Sequence, residues 1–183
     1  MPTKITIVTT ANRTLRFTQS DPARISEIIE SLKRCAQIFS KRTLVLVSDQ
    51  GTEIFSPSAI TRIEIETNVD LVPYLPPAME ISTRALALGE TEPPSAMDEE
   101  HIATRVDFYF AGGDLLPTWF ERPRPSGAAD RTMQVTRLFE QSVIPYRLLT
   151  PGIGLMNPAV MTRASLGIAM SDLPTGAWHV NHL

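Results

Sequence analysis

Short apolar runs, some alternating with polar residues and one, Thr43–Ser48, continuous as in a buried strand, recur along this chain, and each run predicts a β-strand. Five of them lie in the first third of the chain: Lys4–Thr10, Thr14–Phe17, Thr43–Ser48, Thr52–Phe55 and Ile60–Thr67. The turns at 11–13 and 49–51 contain Asn12 and Gly51, which tolerate a positive φ angle and so favour tight hairpins. The sequence therefore predicts two hairpins and a closing strand.

One segment between the two predicted hairpins repeats its apolar residues at helical spacing. Asp21 is suited to capping the free amides of a first turn, and Pro22 fits the first helical position. The apolar positions that follow lie on one face of a helix: Ile25, Ile28, Ile29, Leu32, Cys35 or Ala36, and Phe39. We therefore expect a helix that packs this face against a sheet.

The stretch Gly51–Ile65, GTEIFSPSAITRIEI, recurs 101 residues later as Gly152–Leu166, GIGLMNPAVMTRASL. A glycine, a proline and a Thr-Arg pair occupy the same positions in both stretches, and most other positions keep their apolar or polar character. The elements before the second stretch follow the order of those before the first: strands at 106–110 and 115–120, a shorter helix at 128–140 and a strand at 144–150. The spacing predicts a tandem repeat, although similar element orders also arise by chance.

We therefore predict an α+β fold, a tandem duplication of a β-β-α-β-β-β unit with pseudo-two-fold symmetry. Its sheets are expected to be mostly antiparallel, and each is expected to be covered by one helix. The predicted division is a first unit at 1–70, a Pro-rich acidic linker or arm at 71–104, a second unit at 105–171 and a C-terminal tail at 172–183.

The same patterns predict which apolar side chains are buried. The residues expected in the cores are Ile28, Ile29, Leu32, Leu44, Leu46 and Ile65 in the first unit and Leu138, Phe139, Leu148 and Leu166 in the second. Within the arm, 81–88 fits either a short strand or a helix. Four apolar residues of the arm are expected to dock onto a surface: Leu71, Val72, Tyr74 and Leu75.

The composition is that of an ordinary globular protein, because hydrophobic residues make up 43% and charged residues 20% of the 183 positions. A net charge of −3 disfavours a dedicated nucleic-acid binder, which usually carries a basic excess. The single cysteine, Cys35, excludes an internal disulfide framework and a cysteine-based zinc cluster. The sequence shows neither a run long enough to cross a bilayer nor a signal-peptide pattern, so we expect a cytoplasmic protein without a membrane partner.

Few residues suit catalysis or metal binding. His179 and His182 have the spacing of two metal ligands on a helix, but the residues around them favour an exposed tail. Cys35 belongs to the apolar helix face and is expected in the core. Gly112 and Gly113 lie between two predicted strands, which favours a hairpin turn over a phosphate-binding loop. We expect no metal and no cofactor.

Arg62 and Arg163 are the candidate ligand-binding residues. Each follows a threonine at the start of the last strand of its predicted unit, and two equivalent guanidinium groups can flank one anion. The structural alternative is that each guanidinium bonds to turn carbonyls. Glu64 and Glu66 share one strand face, where paired carboxylates can bind a cation, but a solvated face is the simpler interpretation.

No pattern in the sequence identifies a catalytic group, whereas the repeat presents two similar sheet edges. We therefore predict a non-catalytic binding or assembly module that associates with itself or binds a protein partner. The alternative is an enzyme or small-anion binder that uses the cleft between the two units. A nucleic-acid-associated protein is a second alternative, which the net charge disfavours.

Overall fold

The computed structural model describes residues 2–48, 50–77, 79–87, 89–90, 101–123 and 137–166, together with residues 178 and 180. The strands in these ranges are β1 (Thr3–Thr9), β2 (Thr14–Gln19), β3 (Leu44–Ser48), β4 (Gly51–Phe55), β5 (Ile60–Glu66), β6 (Thr83–Ala85), β7 (His101–Phe110), β8 (Leu115–Pro123), β9 (Ile144–Arg147), β10 (Gly152–Met156) and β11 (Met161–Leu166). They contain one α-helix, α1 (Pro22–Ser31), and the 3-10 turns Leu32–Gln37, Pro57–Ala59, Val72–Tyr74, Arg137–Glu140 and Pro158–Val160.

Nine of these strands form a single mixed sheet in the order β11-β7-β8-β6-β9-β10-β5-β1-β2. β6 and β9 are parallel neighbours, and every other pairing in this sheet is antiparallel. The hairpin β3–β4 forms a separate two-stranded sheet. The pairing of β5 with β10 therefore joins the first and second halves of the chain in one sheet.

The predicted fold class is wrong. The described part of the chain is mostly β-structure with α1 as its one α-helix, and a single sheet joins both halves. The second predicted helix, 128–140, lies outside the described residues except for Arg137–Glu140, which form a 3-10 turn. The sequence pattern predicted one sheet for each unit, with edge-to-edge pairing of the two sheets as an open alternative, because backbone bonds between strands distant in sequence, such as β5 and β10, leave no periodic signal.

Helix α1 begins where the sequence predicts and ends earlier. The Asp21 carboxylate accepts a hydrogen bond from the Ala23 amide at 2.8 Å, and Pro22 occupies the first turn. After Ser31 the chain continues as a 3-10 turn in which Arg34 leaves helical geometry, with φ −117°. The turn keeps the apolar face in place, since Leu32 and Cys35 are each only 1% exposed.

Two apolar clusters form the core. The first joins α1 and its 3-10 turn to strands of both halves: Ile5, Ile7, Ile29, Leu32, Cys35, Ile60, Ile63, Ile65, Leu71, Leu75, Val143, Ile153 and Leu155. The second lies in the later strands: Ala85, Val106, Phe108, Phe110, Leu116, Phe120, Leu138, Ile144, Tyr146, Met156 and Met161. The two faces of β10 belong to different clusters, because Leu155 is in the first and Met156 in the second.

The predicted core residues fall into three groups. Ile29, Leu32, Ile65 and Leu138 are buried, which confirms the prediction for them. Those that are only half-buried are Ile28, Leu44, Leu46, Leu148 and Leu166. Phe139 is 43% exposed, so its prediction is wrong: it lies on a short 3-10 turn, and that turn buries its neighbour Leu138 instead.

The spacing of 101 residues recurs in the pairing of strands. β1 pairs with β5 in the same register in which β7 pairs with β11: Ile5 lies opposite Ile65, and Val106 opposite Leu166. The turn amides agree as well, since Thr10 donates to the Ala59 carbonyl and Ala111 to the Val160 carbonyl, both at 2.9 Å. The hairpins β3–β4 and β9–β10 differ in their surroundings, and duplication of the complete unit is unconfirmed.

The predicted arm contributes to the fold. Within 81–88, the alternative of a short strand is the one observed, because β6 lies in the main sheet between β8 and β9. Of the apolar residues expected to dock, Leu71 and Leu75 are buried in the first cluster, whereas Val72 is 55% exposed. A segment whose prolines suggested a linker therefore completes both a sheet and a core.

Replacing Leu32 by alanine is expected to lower the free energy of unfolding by about 2–5 kcal/mol, because it leaves a cavity beneath the turn that follows α1. Val69→Ala is the control: Val69 is 43% exposed, and its truncation should change stability by less than about 0.5 kcal/mol. Urea unfolding monitored by circular dichroism measures both. Equal stability of the two variants would contradict this packing.

Candidate functional site

A group of polar side chains lies where β5 meets the second half of the chain. We call it the Arg62 cluster: Thr61, Arg62 and Glu64 on β5, Asp114 in the turn between β7 and β8, and Tyr146 on β9. Strand alternation places two of these side chains. Ile63 and Ile65 point into the first apolar cluster, so Arg62 and Glu64 occupy the opposite face of β5.

Each charged group of the Arg62 cluster has a partner inside it. The Arg62 guanidinium donates through Nε to Glu64 Oε1 at 3.0 Å and through Nη1 to Asp114 Oδ2. The Thr61 hydroxyl lies 3.0 Å from the same Asp114 oxygen and 3.1 Å from the Val8 carbonyl, and it can donate its hydrogen bond to either. The Tyr146 hydroxyl donates to Glu64 Oε1 at 2.7 Å. One positive charge is thus held between two negative charges.

Three strands are arranged so that Tyr146 reaches Glu64. Gly154 on β10 lies opposite Tyr146 on one side and opposite Glu64 on the other. A Cβ atom at Gly154 would collide with the Tyr146 ring, so the phenol can cross β10 only because this position is glycine. The hydrogen bond therefore ties β9 to β5 across the strand between them.

Burial gives the cluster its electrostatic character. Burial, followed by the charge of Glu64, raises the pKa of Tyr146 well above its ordinary value, so the phenol remains a neutral donor. Burial alone would lower the pKa of Arg62, but the charge of Asp114, its hydrogen bond to the guanidinium and the charge of Glu64 act in the opposite direction, and the pKa is raised. Tyr146 therefore stays neutral and Arg62 stays charged at ordinary pH, which suits a structural cross-link better than proton transfer.

Arg163, the second predicted ligand-binding residue, is placed differently. It is exposed on β11, and its guanidinium carbon lies 3.9 Å from the centre of the Tyr109 ring, a cation–π contact across the strand pair. Arg62 is directed to Glu64 and Asp114 instead, so the contacts of the two arginines do not converge on one group. An anion at Arg62 would have to compete with two carboxylates. The anion-site hypothesis stays a prediction.

The remaining candidates have ordinary surroundings where the structure describes them. Gly112 and Gly113 form the predicted hairpin turn, with φ +85° and +89°. Cys35 is buried 3.6 Å from the Met79 sulfur, and burial raises the pKa of its thiol, which disfavours the reactive thiolate. His179 and His182 lie outside the described residues. Within the described ranges, no three His, Cys, Asp or Glu side chains are grouped to hold a metal ion.

Sequence reasoning missed most of the Arg62 cluster. Arg62 and Glu64 are two residues apart on one strand, so their shared face was available as a signal for an ion pair. The sequence pattern instead favours a solvated strand face that Glu64 shares with Glu66. Asp114 and Tyr146 come from the other half of the chain, 52 and 84 residues after Arg62, and only the tertiary fold brings them to it.

A second polar group, which the sequence did not reveal, joins the arm to the sheet. The Arg84 guanidinium binds Glu90 through two nitrogens, at 2.6 Å and 3.4 Å, and the Ala87 amide and Trp119 indole also donate to Glu90, at 2.9 Å and 3.1 Å. The hydrogen bond from Arg84, then that from Ala87, lowers the pKa of Glu90 from 4.5 to about 2.

The hairpin β3–β4 has an uncovered apolar surface. Val45, Val47 and Ile54 point to its outer side and are 49%, 67% and 67% exposed. Val45 and Ile54 are cross-strand partners, so their side chains form one patch. We call this patch the hairpin face. On the inner side, Leu44, Leu46 and Phe55 pack against the first apolar cluster.

Removing the carboxylate of Asp114 is expected to destabilise the fold strongly. In Asp114→Ala, the guanidinium of Arg62 keeps its burial but loses one of its two charged partners, which should cost about 3 kcal/mol. Asp107→Ala is the control, because Asp107 pairs with Arg105 at a more exposed position, where such pairs contribute at most about 1 kcal/mol. Similar losses in urea unfolding would exclude a special role for the Arg62 cluster.

Acid should break the contacts that Glu90 makes with Arg84 and Trp119. The folded pKa of Glu90 is depressed, so its stabilising contribution is present above pH 4.5 and is lost as the pH falls towards 2. Trp119 reports the change by fluorescence in a Trp178→Phe background, since the chain has 2 tryptophans. Glu90→Gln should remove this emission transition. An unchanged acid transition in Glu90→Gln would contradict the assignment, provided circular dichroism shows that the fold persists.

Comparisons with known proteins do not assign a function. No protein-family model, curated protein sequence or solved structure matches this chain significantly. In the described part of the chain, no helix is both long and apolar enough to cross a membrane. Any functional conclusion must therefore come from the geometry of the chain itself.

Proposed function

We propose that this chain is a non-catalytic assembly module that associates with copies of itself through strand pairing. The observation that carries the proposal is the hairpin face, formed by Val45, Val47 and Ile54 on the outer side of a two-stranded sheet that is separate from the main sheet. Its inner side packs on the first apolar cluster, whereas the exposed β-branched side chains on its outer side favour contact with another surface.

Open strand edges support the same proposal. Among the described residues, β2 and β11 are the two ends of the nine-stranded sheet, and β3 and β4 pair only with each other. Each of these strands therefore offers a row of backbone amides and carbonyls to another chain. Strand addition at such an edge provides main-chain hydrogen bonds, and the adjacent side chains provide selectivity.

The Arg62 cluster supports a module of this kind in another way. Its guanidinium, carboxylates and phenol bond to one another across β5, β9 and the turn that contains Asp114. Those bonds fix the two halves in one arrangement and so present the strand edges in fixed positions. A rigid edge loses less conformational entropy on association than a mobile one.

Association should be visible in the mass of the protein in solution. Light scattering over a dilution series should show a mass that rises from 20.3 kDa towards twice that value as concentration increases. Ile54→Lys places a charge on the hairpin face and should weaken the dimer about tenfold or more.

Val69→Lys is the matched control for Ile54→Lys, because Val69 is also exposed but lies outside the hairpin. It should leave the dilution curve unchanged. A monomer at every concentration would overturn the proposed self-association. A dimer that both variants weaken equally would exclude the hairpin face as its contact.

A further inference from the structure

The strands that close the two halves are bonded differently. β5 pairs with β1 on one edge and with β10 on the other. β11 pairs with β7 in the register in which β5 pairs with β1, residue for residue at a spacing of 101. In the described part of the chain the other edge of β11 has no bonded strand. This free edge corresponds to the edge of β5 that β10 occupies.

A matching free edge is found on β4. β10 pairs with β9 on one edge and crosses to β5 with the other. β4 stands at the same spacing before β10, pairs with β3 on one edge, and has no described partner on the other. Each half thus has a strand suited to crossing over, and among the described strand pairings only β10 does so. The edges of β4 and β11 are left over as a complementary pair.

The observed pairing of β10 with β5 fixes the register that β4 would adopt on β11. Gly154 lies opposite Glu64 and Leu155 opposite Ile63. Subtracting 101 from the β10 positions and adding it to the β5 positions places Glu53 opposite Ser165 and Ile54 opposite Ala164. The pairing of β4 with β11 would be antiparallel, like that of β10 with β5. Both strands are long enough for it, since β4 has 5 residues and β11 has 6.

The side chains on these edges fit that register. Leu155 is fully buried, whereas Ile54 at the corresponding position is 67% exposed. Ala164 and Leu166 on β11 pack against the rim of the second apolar cluster and are only half-buried. Pairing of β4 with β11 would bring Ile54, an exposed apolar side chain, next to Ala164. It would cover apolar surface on both strands.

We infer that β4 of one copy pairs with β11 of a second copy, and that β4 of the second copy pairs with β11 of the first. Reciprocal contacts form a closed two-fold dimer, in which the strand pairing occurs twice. The inference rests on the proposed self-association and names its surfaces.

A second copy is favoured over closure within one chain because the hairpin is already anchored. Its inner side packs on the first apolar cluster through Leu44, Leu46 and Phe55, and the Phe55 ring meets Phe17 edge-on at 6.4 Å. Moving the hairpin to its own β11 would uncover these side chains. A partner that approaches from outside leaves them in place.

The turns after β4 and β10 differ in a way that favours the observed crossing of β10 over one by β4. The Asn157 side chain donates to the carbonyls of Pro57 and Ile60 at 3.1 Å and 2.9 Å. The Asn157 backbone amide donates to the Thr61 carbonyl at 2.9 Å. These bonds fix the end of β10 to the first half. The corresponding residue after β4 is Ser56, whose hydroxyl bonds to Ser58 at 2.8 Å instead. Among the described residues, Ser56 therefore donates no bond to the other half, and the turn after β4 only accepts the bonds that Asn157 donates.

Disulfide trapping between two different single-cysteine variants tests the inference. Glu53 and Ser165 are both exposed, and facing residues of antiparallel strands have Cα separations of about 4.5–5.5 Å, within disulfide range. A mixture of Glu53→Cys and Ser165→Cys chains should give a cross-linked dimer under mild oxidation, whereas neither variant alone should. The native Cys35 is buried, and the wild-type chain controls for it.

A Thr18→Cys chain mixed with Glu53→Cys is the matched control, because Thr18 is exposed on β2, the opposite edge of the sheet. It should give no comparable cross-link. A dimer in light scattering without trapping between Glu53→Cys and Ser165→Cys would overturn this pairing and leave the proposed self-association standing. A monomer by light scattering without trapping would overturn both. A double variant that carries both Glu53→Cys and Ser165→Cys tests closure within one chain. A disulfide that forms only inside this double variant, while it stays monomeric, would overturn the inference.

Discussion

The pairing of β5 on both of its edges is the constraint on which the rest of the structure depends. β1 bonds to one edge and β10, from the second half of the chain, to the other, so two sets of strands become one sheet. The faces of β5 are equally committed. Ile63 and Ile65 enter the first apolar cluster, while Arg62 and Glu64 meet side chains of the second half. A strand held on all four sides leaves little freedom for the halves to move relative to each other.

The polar side of this junction tolerates burial because its groups satisfy one another. Burying a guanidinium is costly unless it is paired and hydrogen-bonded. Arg62 pairs with Glu64 on β5 and with Asp114 in the turn between β7 and β8. Tyr146 adds a neutral donor to Glu64, and its ring lies over Gly154. The arrangement selects one register between β5, β10 and β9. A slip by one residue would remove the glycine from beneath the ring and turn the charges towards the apolar cluster.

The sequence predicted the local features and missed the distant ones. Asp21 and Pro22 identified the start of α1, and the alternating runs identified the hairpins, because neighbouring residues determine caps, turns and strand periodicity. The three-residue strand β6 carried no clear periodic signal among the prolines around it. The joining of the halves and the contact of Asp114 with Arg62 depend on residues more than 50 positions apart, which no local pattern encodes.

The chemical differences between the two hairpins explain why one is integrated and the other exposed. β10 offers Gly154, which lets a phenol pass over it to a carboxylate, and it is followed by Asn157, which bonds the first half. The corresponding position on β4 is Glu53, whose cross-strand partner is the apolar Leu46. No phenol can cross there. Polar cross-links therefore hold the internal junction, whereas any contact made by β4 must rely on backbone bonds and on the hairpin face, the combination expected of a surface that pairs with another chain.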